Sequence, residues 1–234
     1  MHARNLAVFD VDGTLVQTDA LDGECFIAAF DEAHGIADVD PDWARYDHAT
    51  EPGITAQVFR ERRGREPSAD DLSRLQSAYL ERLARAAHHD GAFAAVPGAA
   101  GLLAALRARA DWAVALATGS WRAAALLKIG RSGLDLDDLP AAFGEDGPSR
   151  QDIVRAAISR ARGEDADFAR IVCIGDGVWD VRTARSLGYP CIGIATGKRA
   201  ACLAAEGAGY VVADFRDHES FLKALEDTAP VVRG

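Results

Sequence analysis

At 234 residues the chain has room for one sizeable domain, or one domain with a modest insert. Its 49% hydrophobic and 26% charged residues are those of an ordinary globular protein. A net charge of −10 argues against a nucleic-acid partner, because phosphate backbones are bound by basic surfaces. A small anionic ligand stays open, since a local cation or metal can govern a pocket whatever the total charge.

In chain order, the apolar run from Leu6 leads into Phe9-Asp10-Val11-Asp12-Gly13-Thr14-Leu15 and reads as a strand ending in a glycine turn. Residues 16 to about 92 then offer helical stretches and no convincing strand: about Asp22 to His34, Gly53 to Arg63 and Ser68 to His89. From about residue 96, short apolar runs alternate with helices. Trp112 to Thr118 is a strand, a helix starts near Trp121, and Gln151 to Arg162 is a helix. Arg170 to Gly175 is a strand and Val178 to Leu187 a helix. Tyr189 to Ala195 and Tyr210 to Ala213 are strands around a helix near Arg199 to Ala205.

Such alternation predicts an α/β fold, a doubly wound Rossmann-like parallel sheet with helices on both faces. The strands read as continuous apolar runs, as expected when both faces are covered. The expected division is an α/β core over 1–15 and 93–234, with a small all-helical cap over 16–92 inserted after the first strand. Cys25, Cys173, Cys191 and Cys202 show no zinc spacing and no disulfide framework, so a reducing cytoplasm is the default. No signal-peptide core or membrane-spanning run is read.

Three stations fall at strand ends. Asp10 and Asp12, two apart, should point the same way, and adjacent like charges call for a cation or a proton. A solvated turn is the plainer reading of Asp-x-Asp-Gly. Thr118-Gly119-Ser120 ends the second strand, where a hydroxyl and free N–H groups can hold an anion or simply cap a helix. Gly175-Asp176-Gly177-Val178-Trp179-Asp180 places two acids four apart at a helix start, on one face pointing back to the strand ends, with capping and the helix dipole as the plainer reading.

Together these segments resemble the motifs of the haloacid-dehalogenase-like hydrolases, in the family's order. The resemblance implies a phosphatase branch with a helical cap, of the phosphoglycolate phosphatase or beta-phosphoglucomutase type. It makes Asp10 the nucleophile that forms an aspartyl-phosphate, and Asp12 the general acid and base. Magnesium (Mg2+) would be held by Asp10, the Asp12 carbonyl, Asp176 and Asp180, with Asp180 a ligand or an anchor behind the ligands. Thr118, Gly119 and a cation would grip the phosphoryl group. The family's usual Lys-Pro pair is absent. Arg150 stands at the matching position and is favoured over Lys128, because a helix start above the sheet reaches the strand ends more easily. The Asp at position 12 fits phosphate-ester hydrolysis, with phosphosugar mutation as the alternative and a non-catalytic binding protein as a further one.

Substrate choice is assigned to the cap and nearby loops. Arg45, His48, Thr50 and Glu51 form a polar cluster there, and Trp121 and Arg122 follow the second strand end. Each has a plain alternative as an exposed loop or packed helix residue. The expected partner is a small phosphorylated metabolite, with neither nucleic acid nor membrane.

Overall fold

The computed structural model describes residues 4–162 and 167–228. The outer ends of the predicted core span therefore lie outside the described residues.

Six strands form one parallel sheet: β1 (Asn5–Phe9), β2 (Trp112–Ala117), β3 (Ala141–Ala142), β4 (Arg170–Gly175), β5 (Cys191–Ile194) and β6 (Tyr210–Val212). Their order is β3-β2-β1-β4-β5-β6. β1 is central and shows why its run is continuously apolar. Ala7 and Phe9 enter one hydrophobic cluster, Leu6 and Val8 the other, so both faces are covered by helices. Phe9 sits against Phe215 and Phe221, with ring centroids 6.1 and 6.5 Å away. Burying one such side chain contributes roughly 1.5–3 kcal/mol.

Between β1 and β2 come α1 (Asp19–His34), α2 (Glu51–Arg63), α3 (Ala69–Ala86) and α4 (Ala99–Arg107). α1 packs on α3, and α3 reaches α5 (Arg122–Ser132) of the sheet layer. Local signals set the helix starts. Thr50 accepts from the Gly53 N–H at 3.0 Å with Pro52 in the first turn of α2, and Ser68 forms a capping box with Asp71 at α3. The chain leaves and re-enters the sheet layer side by side, as Val96 N–H bonds Leu15 O and Gln17 N–H bonds Ala94 O. The remaining helices are α6 (Arg150–Arg162), α7 (Val178–Leu187), α8 (Gly197–Glu206) and α9 (His218–Asp227).

The strand and helix expectations hold with ends moved by a few residues. α1 and α2 start earlier than predicted, α3 ends at Ala86, and Trp121 precedes α5 as its N-cap. β3 was not predicted, since two alanines make no apolar run, and neither α4 nor α9 was placed. All four cysteines are free; Cys25, Cys173 and Cys191 are buried and Cys202 is exposed. No helix among the described residues is long and apolar enough to cross a membrane.

Candidate active site

Parallel strands all end on one edge, so residues just past each apolar run collect there. The direction of winding reverses between β1 and β4, which opens a crevice at their carboxyl ends. Asp10 follows β1, with its N–H on Ile174 O at 2.9 Å, and Asp176 follows β4. Gly177 caps α7, and Asp180 in its first turn accepts from the Gly177 N–H at 3.0 Å. One oxygen each of Asp10, Asp176 and Asp180 fall within 4.8 Å of one another, and all three residues are buried.

Gly13 makes this approach possible. Its φ is +76°, and a Cβ there would lie 2.1 Å from the Asp176 carboxylate. Gly119 is similarly confined, because a Cβ would lie 2.7 Å from the Arg150 guanidinium and 2.9 Å from Ala49 O.

Arg150 opens α6 and reaches into the crevice. Its guanidinium donates to Asp10 Oδ1 at 2.9 Å, to Asp180 Oδ1 at 2.5 Å and to the Ala49 carbonyl at 3.0 Å. Arg199 on α8 pairs with Asp176 from the exposed side. Two cations thus face three acids. The Asp10 carboxyl is pushed well above the usual carboxylate range, first by burial and then by Asp180, against the pull of Arg150. Asp176 is pushed up to about 7 by burial and Asp180, with Arg199 pulling it down. Carboxylates kept this close out of water call for protons or for a cation beyond the two arginines, and hard oxygen donors are what magnesium takes. The donor set fits a divalent metal.

Asp12 also faces the cavity, but its carboxylate is held from behind. Its Oδ2 accepts from Ser120 Oγ at 2.7 Å and Thr118 Oγ1 at 3.4 Å, and its Oδ1 is 2.7 Å from Lys128 Nζ. Thr118 is itself buried at the end of β2, where its Oγ1 accepts from the Ser120 N–H at 3.1 Å.

A cavity of about 560 Å3 lies over these residues. Asp10, Asp12, Thr118, Gly119, Arg150 and Asp176 line its floor; Gln17, Thr18, Asp22, Trp43 and Thr50 line the helical side. Of the two candidate cations, Arg150 lines the cavity, whereas Lys128 is fully buried behind Asp12. Thr50 lines the cavity as the cap of α2. Two substrate candidates are not on its wall. His48 is exposed outside it, because the loop before α2 turns Thr50 inward instead. Trp121 is 4% exposed and packs on Phe26 and Tyr79, so the plainer reading of a packed aromatic applies. Arg45 pairs with Asp40, and Arg122 stacks on Phe143.

Reading the sequence missed a buried polar group behind the floor. Lys128 Nζ donates to Asp22 Oδ1 at 2.9 Å and Ser120 Oγ at 3.0 Å. Glu51 accepts from the Trp121 N–H at 2.7 Å, and the Tyr79 hydroxyl lies 2.6 Å from Asp22 and 2.9 Å from Glu51. Tyr79 has one hydrogen for two carboxyls, so the second bond requires a proton on an acid. Both acids are pushed up by burial against the pull of Lys128, Glu51 to about 8. The helical patterns gave no sign that these residues meet.

A crevice floored by clustered acids and a buried guanidinium, at the switch point of a doubly wound sheet, defines the candidate site of an α/β protein. The sequence pattern of haloacid dehalogenase-like hydrolases matches residues 5–188, and the chain belongs to that family. No curated protein sequence matches it. Among solved structures it is similar to a hydrolase from Pseudomonas syringae, at 21% identity and a TM-score of 0.69, covering 97% of this chain and 100% of that one. It is similar to a putative beta-phosphoglucomutase from Bacteroides vulgatus at 15% identity, TM-score 0.70, covering 96% and 89%. CbbY from Rhodobacter sphaeroides, solved with phosphate, is 22% identical with a TM-score of 0.68, covering 92% and 96%. At these identities the likenesses establish a shared fold.

Proposed function

We propose that the protein is a magnesium-dependent phosphatase that hydrolyses a small organic phosphate monoester through an aspartyl-phosphate at Asp10. In this reading the core, 1–15 and 93–234, carries the chemistry, and the helical cap, 16–92, selects the substrate. The observation that carries it is the placement of Asp10: at the end of the central strand, facing Asp176 and Asp180, with Arg150 on its Oδ1. Family membership and the phosphate in the CbbY structure support it.

An Asp10 oxygen bonds to phosphorus while the bond from phosphorus to the alcohol oxygen breaks, and Asp12 gives that oxygen a proton. Water then attacks phosphorus, its proton passes to Asp12, and the bond to Asp10 breaks. Thr118, Gly119 and Arg150 hold the phosphoryl oxygens as charge shifts among them. Asp10, the Asp12 carbonyl, Asp176 and Asp180 would hold magnesium, which when bound neutralises charge between the acid cluster and the anionic substrate.

The test is a panel of sugar, glycolate and nucleotide phosphates, with and without magnesium, on wild type and Asp10→Asn. Magnesium-dependent phosphate release, abolished in the variant, is expected. A phosphosugar that is isomerised without phosphate release would make the protein a mutase. Full activity of Asp10→Asn would end the mechanism.

A further inference from the structure

Lys128 is a cost unless it does something. It is fully buried on α5, beside Ala124, Ala125 and Ile129, where an apolar side chain would pack without losing hydration. Its ammonium closes a ring on Asp12: Nζ is 2.7 Å from Oδ1 and 3.0 Å from Ser120 Oγ, which donates to Oδ2 at 2.7 Å. Both carboxylate oxygens are therefore set by one ammonium, directly and through one hydroxyl. In this arrangement Oδ2 is turned toward Thr118, 3.4 Å from its hydroxyl. The ammonium is held in turn from the helical segment. Asp22 of α1 accepts at 2.9 Å, and Glu51 of α2 lies 4.0 Å away. Tyr79 of α3 bonds both acids.

We propose that Lys128 is the positioning residue of Asp12, and that Asp22, by holding Lys128, ties the orientation of the acid/base group to the seating of the helical segment. This rests on the phosphatase reading. Proton delivery limits release of an alkoxide far more than release of a good leaving group such as p-nitrophenolate. A misaimed Asp12 therefore damages alkyl phosphates selectively, whereas a loosened fold damages both alike.

The experiment is rapid-quench measurement of leaving-group release in the first turnover. It uses an alkyl phosphate and p-nitrophenyl phosphate, with magnesium, and circular dichroism to verify folding. Lys128→Met is expected to slow alkyl release about hundredfold and aryl release less than about fivefold. Asp22→Asn keeps the ammonium and covers the case in which Lys128→Met does not fold. It is expected to slow alkyl release about tenfold and aryl release less than about twofold. Equal losses on both substrates in folded protein, or no loss on either, would overturn the positioning role. Wild type releasing neither alcohol would instead overturn the phosphatase reading, and the positioning role with it.

Discussion

Replacing Asp176 by Asn should make the metal-free protein more stable, although it removes a residue assigned to the site. Oxygens of Asp10, Asp176 and Asp180 lie within 4.8 Å of each other. At an effective dielectric near 20, each fully ionised pair repels by about 3 kcal/mol. The burden shows in Asp176, whose carboxyl rises from 3.8 to about 7. A carboxyl raised on folding contributes stability that is complete below its unfolded pKa and lost as pH rises to the folded one. That loss amounts to about 4 kcal/mol for Asp176 above pH 7. Asn does not ionise. The pull of Arg199 is already contained in that value. In chelator at pH 8, Asp176→Asn should gain about 4 kcal/mol, a rise in Tm of about 8 to 16 °C. The gain should vanish near pH 4. Magnesium should stabilise wild type through binding to the folded state and should stabilise the variant much less. Denaturant titrations across pH, with chelator or magnesium, read all three effects. A variant less stable than wild type in chelator at pH 8, or an equal magnesium response, would refute the reasoning.

Three further outcomes follow from the same geometry. Glu51→Gln removes a carboxyl whose ionisation burial opposes, while its amide can still accept from the Trp121 N–H and donate to Tyr79, so it should match wild type near pH 4.5 and exceed it increasingly up to about pH 8; urea melts across pH measure the divergence. Arg150→Met leaves Asp10 and Asp180 buried without their shared cation, which should cost about 3 kcal/mol in chelator and less in magnesium, read by the same melts. The same change should lower phosphatase kcat by about hundredfold through loss of charge stabilisation. Gly13→Ala forces a non-glycine residue to φ +76° and a Cβ onto Asp176, and should cost about 2 kcal/mol or more in denaturant unfolding.

The stations at Asp10, Thr118 and Asp176 were legible because a parallel sheet converts the end of an apolar run into a place in space. Each is the residue next to a buried strand, so their convergence needs no knowledge of loops. The whole-face burial of β1 was legible for the same reason. β3 was not, because its two alanines are recruited by β2 pairing and carry no pattern of their own. Arg150 came from its place in the family's order of motifs, and its bridge to Asp10 and Asp180 appears only in three dimensions. Lys128 was weighed as a phosphate cation and instead stands behind Asp12, since the face of α5 it occupies turns inward. Its partners Asp22 and Glu51 are 106 and 77 residues away in the chain, and no periodicity encodes how α1 and α2 meet α5. His48 and Trp121 stand near the site in sequence, while the turn of the loop before α2 and the packing of Trp121 on Phe26 and Tyr79 set their places in space.

The claim on which the rest depends is that Asp10 carries the phosphoryl group. Wild type quenched in acid during turnover and reduced with borohydride should show the acyl phosphate as homoserine at position 10 by peptide mass spectrometry, with no such product in Asp10→Asn. Phosphate release without modification at position 10, or modification elsewhere, would contradict it.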